Sequence, residues 1–149
     1  MTQAAISASE PAGIGGWLIL PAIGIVAAPL RFLTNLADYV PLFDGIKPGT
    51  LVHAMLTAEV VCWIGFLILA GITAVQFFSH KTSAPKLYIA LLVGQVAFVV
   101  ADALAAAILF NAQALNMDTE IAFAMLVAAC AIWIPYFLTS ARVRNTFVR

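Results

Sequence analysis

The chain has 149 residues, of which 64% are hydrophobic and only 9% charged, and its mean hydropathy is +1.05. A soluble domain of this length needs far more charge to cover its surface, so lipid rather than water is the expected solvent. Seven Lys/Arg against seven Asp/Glu leave no net charge, which excludes the basic surface that nucleic-acid binding requires.

The start, "MTQAAISASEPAGIGG", lacks the basic n-region of a signal peptide, and residues 1–12 are expected to form a disordered polar tail. Residues 13–149 are expected to form a single domain with four apolar spans, at about 14–36, 52–78, 87–110 and 120–138. Each can cross roughly 30 Å of hydrocarbon at about 1.5 Å per residue. None alternates with period two, so the predicted fold is all-α, an integral membrane bundle of four transmembrane helices.

In the first span, Pro21 and Pro29 remove backbone hydrogen bonds and should bend the helix, as should Pro135 in the fourth. "DYVPLFDGIKPGT" follows, and its Pro41, Gly45, Pro48 and Gly49 predict a loop. "SHKTSAPK" predicts a tight polar turn, with Pro85 in the first turn of the third helix. "NAQALNMDTE" sets Asp118 and Glu120 at the start of the fourth, where free N–H groups favour negative charge. Small residues recur at helical spacing, at Gly24 and Ala28, at Ala97, Ala101 and Ala105, and at Ala124 and Ala128. They are expected to let the helices approach closely.

Lys81, Lys86, Arg142, Arg144 and Arg149 lie at one end of the spans, against Lys47 and at most Arg31 at the other. The positive-inside rule then puts both termini in the cytoplasm. Trp17, Tyr88, Trp133 and Tyr136 fall near that interface, where amphipathic rings are enriched.

Arg31, Glu59 and Asp102 sit inside apolar segments. By residue count they converge on one layer in the outer half of the bundle, with Gln95 seven residues before Asp102 on the same helical face. Buried charges of this kind normally face inward and pair, and the guanidinium of Arg31 suits Glu59, Asp102 or both. Three readings stand: a structural ion cluster, interfacial charges with only Asp102 buried, and a working proton or cation site. One arginine and two carboxylates leave a negative charge for a proton or cation to balance.

Other chemistry is expected to be absent. His53 and His80 lie at opposite ends of the second helix, and no zinc-like cluster or nucleophile–base set stands out. Cys62 and Cys130, within apolar runs, read as packing residues. No metal or cofactor and no enzymatic activity are therefore expected.

The end joins an aromatic anchor (Trp133, Tyr136 and Phe137) to the basic Arg142, Arg144 and Arg149. Rings at the headgroup level beside cytoplasmic arginines make a membrane stop, or alternatively a docking surface. "GGWLILPAIG" near the start and "IWIPYFLTSARVRNTF" at the end resemble the family of domain of unknown function 2569, small four-helix bacterial inner-membrane proteins (YdgK-like). The resemblance runs from about Gly13 to Arg149. Trp133, Pro135, Tyr136, Phe137, Arg142, Val143, Thr146 and Phe147 fit its terminal motif, and Arg144 stands where lysine is at least as common. It implies the four-helix fold and the bacterial inner membrane, with no activity attached. The functional expectation is an accessory or scaffold subunit that packs against membrane lipids and other membrane subunits, or against its own copies. The rival is a small proton- or cation-coupled transporter or channel that works through buried carboxylates as an oligomer.

Overall fold

A computed structural model describes residues 13–110 and 117–148, without the side chains of residues 117 and 118. The expected tail at 1–12, the connection at 111–116, the Asp118 side chain and Arg149 lie outside the described residues. A 3-10 turn, Gly16–Leu18, leads into α1 (Ile19–Phe43). Then come α2 (Leu51–Phe78), α3 (Ala84–Phe110), α4 (Met117–Thr139) and a short α5 (Ala141–Thr146). The stretches Gly16–Phe43, Leu51–Phe78, Ala84–Phe110 and Thr119–Thr139 are long and apolar enough to cross a membrane. The all-α expectation with four such helices therefore holds, and it makes this a multi-pass membrane protein.

Helix ends follow from local chemistry. Thr50 caps α2, its Oγ1 accepting from the His53 N–H at 3.2 Å. At the other end of α2, His80 takes a left-handed φ of 57°. The Lys81 N–H then reaches the Gln76 carbonyl at 3.0 Å and the His80 N–H reaches that of Phe77 at 3.1 Å. This is the Schellman arrangement, which satisfies two of the carbonyls left over at a helix end.

Two expectations about proline need correction. The first helix does not stop near Leu36 but continues through Pro41 to Phe43. Pro41 frees the carbonyl of Ala37, which is exposed, so the lost bond is not sealed in a dry interior. Pro21 lies in the first turn of α1, where its missing N–H would have had no helical partner, so no hydrogen bond is lost there. Pro29 and Pro135 do lie inside α1 and α4.

The helices pack in chain order, α1 on α2, α2 on α3 and α3 on α4. Two cores result. At the end that carries α5, Leu18, Phe77, Tyr88, Phe137, Val143 and Phe147 are buried together. Phe147 stands 5.0 Å from Phe77, and Tyr88 stands 4.9 Å from Phe137, by ring centroids. Midway along the spans, buried Phe32 meets Trp63 at 5.7 Å and Phe66 at 6.0 Å, and Trp63 meets Phe98 at 5.3 Å. A Cβ added at Gly94 would stand 3.2 Å from Phe66 Cε1, so the missing side chain admits that ring between α2 and α3.

The small-residue stripes lie mostly elsewhere than expected. Gly24, Ala97, Ala101, Ala124 and Ala128 are exposed, while Ala28 and Ala105 are half-buried. The internal interfaces are filled by aromatic and leucine side chains, so most of the stripe residues remain on the outer surface.

Candidate functional site

Counted from the helix ends away from α5, the charged residues fall at different depths. Glu59 lies eight residues into α2 from Leu51, and Asp102 lies eight residues before Phe110 at the end of α3. Both are about 12 Å from the same end of the bundle. Arg31 lies twelve residues before Phe43, or about 18 Å in, more than a turn deeper.

The polar residues therefore separate into two groups. Tyr39 donates its hydroxyl hydrogen to Glu59 Oε2 at 2.6 Å, and Trp63 Nε1 donates to the Tyr39 oxygen at 3.2 Å. Asp102, on α3, faces Glu59 across the α2–α3 interface. Deeper in, Arg31 Nη2 donates to Gln95 Oε1 at 3.3 Å, and Gln95 Nε2 donates to the Leu91 carbonyl at 3.2 Å. Gln95 is buried, with its amide engaged on both sides. Asp102 thus lies on the Glu59 side, and Arg31 meets Gln95. The expected fork from Arg31 onto the carboxylates does not form, because the two groups are offset along the bundle. The Arg31 guanidinium has five N–H donors; among the described residues Gln95 is its one hydrogen-bond partner, and no carboxylate pairs with it.

Tyr39 and Trp63 complete the carboxyl group, yet sequence reasoning passed over both. The signal was available: Trp63 follows Glu59 by four residues, and Tyr39 follows buried Phe32 by seven, which puts each pair on one helical face. Reading Pro41 as the start of a loop hid Tyr39.

Arg31 faces a cavity of about 400 Å³ between α1, α3 and α4. Its walls are apolar, including Ala28, Leu92, Met125 and Ala129, with Tyr88 at the end away from Arg31. Gly24 lies beside the Tyr88 hydroxyl, 3.9 Å from where a Cβ would stand.

The expected interfacial residues gather at the α5 end. Trp17 is 68% exposed. Trp133 and Tyr136 are half-buried, with ring centroids 5.8 Å apart. Arg144 is exposed, whereas half-buried Arg142 lies across the N-terminal turn, its Nη1 3.1 Å from where a Gly15 Cβ would be. Gly16, also under that guanidinium, has a φ of 55°, a conformation that favours glycine. Thr146 Oγ1 donates to the Gly13 carbonyl at 3.3 Å, which ties the two ends of the described chain together. The terminal motif therefore folds back as a foot under the bundle, a role its basic and aromatic composition did not reveal. Among the described residues, no three His, Cys, Asp or Glu side chains group as metal ligands, and Cys62 and Cys130 are free thiols.

Comparison with known proteins agrees with the resemblance read from the two ends. A family model described as a protein of unknown function (DUF2569) matches residues 11–148, nearly the whole chain. No curated protein and no solved structure matches.

Proposed function

We propose that this chain, which belongs to the DUF2569 family, is a non-enzymatic accessory subunit that packs against other integral membrane proteins. The observation that carries the reading is the state of α4. It rests on α3 and is the least covered of the four spanning helices, and it holds Ala124 and Ala128 outward. Lipid tails give no hydrophobic drive between helices, so association in a bilayer relies on backbones brought close at small residues. An outward small-residue face on a thinly supported helix fits a further helix from another subunit or a second copy. Gentle extraction from the native membrane, followed by mass spectrometry of co-migrating proteins, tests this. A stoichiometric companion is expected, and migration as a bare monomer would sink the proposal.

The proposed setting is the bacterial inner membrane with both termini in the cytoplasm. Lys81, Lys86, Arg142 and Arg144 lie at the α5 end, while Asp38, Asp44 and Glu120 lie at the other beside Lys47. That is the polarity the positive-inside rule favours.

The contact of Glu59 with Asp102 favours a second reading, a proton- or cation-coupled carrier. Two carboxyls at one place in a low-dielectric span are eased by a shared proton or a bound cation. That reading expects pH- or cation-dependent flux in liposomes, abolished by Asp102→Asn. Flux unchanged in the variant would dismiss it.

A further inference from the structure

Along the outer side of α1 runs an open groove, lined from Ile14 past Ala22 and Ala27 to Leu30, with Phe78 of α2 beside it. Among the described residues its lining is wholly apolar. Leu30 is fourteen residues beyond Gly16 and thirteen before Phe43, the two ends of the first spanning stretch. The groove therefore begins at the α5 end and stops midway along the span. Half of a hydrocarbon layer of roughly 30 Å is one leaflet, so the groove has the depth of a single lipid tail. A spanning partner helix would need a track over the whole length and would close on small residues. Here the lining ends at Leu30, and Ile19, Ile23 and Val26 stand out from it, each exposed.

The mouth of the groove is positively charged. Lys81, Lys86, Arg142 and Arg144 lie at the α5 end, and among the described residues no Asp or Glu does. The positive-inside rule accounts for the sign of these charges, but not for where Arg142 goes. Its guanidinium lies over Gly15 and Gly16, with Nη1 3.1 Å from where a Gly15 Cβ would stand. That is one residue from Ile14, at the open end of the groove. Buried Val143 and Thr146 hold α5 under the bundle, which keeps Arg142 at the mouth. On the opposite wall, Lys81 follows Phe78 by three residues.

We propose that this groove seats one acyl chain of an anionic phospholipid from the leaflet on the α5 side, with the lipid phosphate on the Arg142 guanidinium. A planar guanidinium suits phosphate oxygens, and Lys81 adds charge beside it. Head and tail then each lie in the layer that suits them, the phosphate at the interface and the chain running from Ile14 toward the bilayer centre at Leu30. The proposal does not depend on the accessory-subunit reading, which concerns the outer face of α4.

Native mass spectrometry of the full chain in mild detergent, titrated with phosphatidylglycerol or phosphatidylcholine, tests it. One phosphatidylglycerol should be held in preference to phosphatidylcholine. Losing a charge-assisted contact in Arg142→Gln should weaken that binding by about tenfold or more, and Arg142→Lys should recover part of it. Ala27→Phe, at an exposed position of the lining, fills the groove with every charge in place and should exclude the lipid. The groove is thus tested even if Arg142→Gln fails to fold. Lys47→Gln, at the far end of the spans, should leave binding unchanged. Equal retention of the two phospholipids would overturn the assignment, as would unchanged binding in either Arg142→Gln or Ala27→Phe, or an equal loss in Lys47→Gln. A co-migrating protein that shuts lipid out would replace the lipid with a protein.

Discussion

Tyr39 is the residue whose removal reads most directly on the carboxyl group. Its hydroxyl bridges Glu59 on one side and Trp63 on the other. Hydrogen bonds between helices in lipid are worth about 0.6 kcal/mol on average and at most about 1.7. Tyr39→Phe should therefore lower stability by about 0.5–1.5 kcal/mol, measured by denaturant unfolding in detergent. No loss at all would mean that the bridge is not formed in the bilayer. His80 predicts the opposite sign. Its left-handed φ of 57° costs a side chain roughly 1 kcal/mol that glycine does not incur, so His80→Gly should stabilise by up to about 1 kcal/mol in the same assay. A Cβ at Gly94 would stand 3.2 Å from the Phe66 ring, and branched side chains overpack such a site. Gly94→Val should cost about 1–3 kcal/mol.

At the scale of elements, α5 carries the sharpest expectation. Val143, Thr146 and Phe147 are buried beneath the bundle, and the Phe147 ring lies against Phe77. Phe147→Ala should destabilise by about 3–5 kcal/mol, as large-to-small core changes do. An anchor lying only in the headgroup region would lose far less, so the unfolding midpoint separates the two roles. The elements also show what a sequence of this kind encodes. Four runs of apolar residues are legible because nothing but helix satisfies the backbone in lipid over such lengths. Rotation is not legible, because α2, α3 and α4 are apolar around their whole circumference and hydropathy marks no inward face. Hence Ala97, Ala101, Ala124 and Ala128 were expected between the helices and lie outside them. The shared depth of Glu59 and Asp102 was legible from their places along α2 and α3, but their facing each other was not, because rotation decides it. The partner of Arg31 was not legible, because the rotation of α1 against α3 decides whether its guanidinium meets Gln95.

For the whole molecule, the uneven distribution of charge gives a test of orientation. With both termini in the cytoplasm, a cysteine placed at Gly45, in a background lacking Cys62 and Cys130, should react with an impermeant thiol reagent added outside intact cells. One placed at Thr82 should react only after the cells are opened. The reverse pattern would turn the molecule over. The bundle keeps its helices in chain order, so neighbours in sequence are neighbours in space, and most of its contacts can form as each helix follows the last.

The foot is the exception. Phe77 waits for a ring seventy residues further along the chain, and Gly13 waits for Thr146. At roughly 5–20 residues per second of synthesis, the floor of the bundle stays open for several seconds after α2 is made. It closes only when the last turn has left the ribosome. A chain cut short after Thr139 would keep all four spans yet display Leu18 and Phe77 bare at the membrane surface.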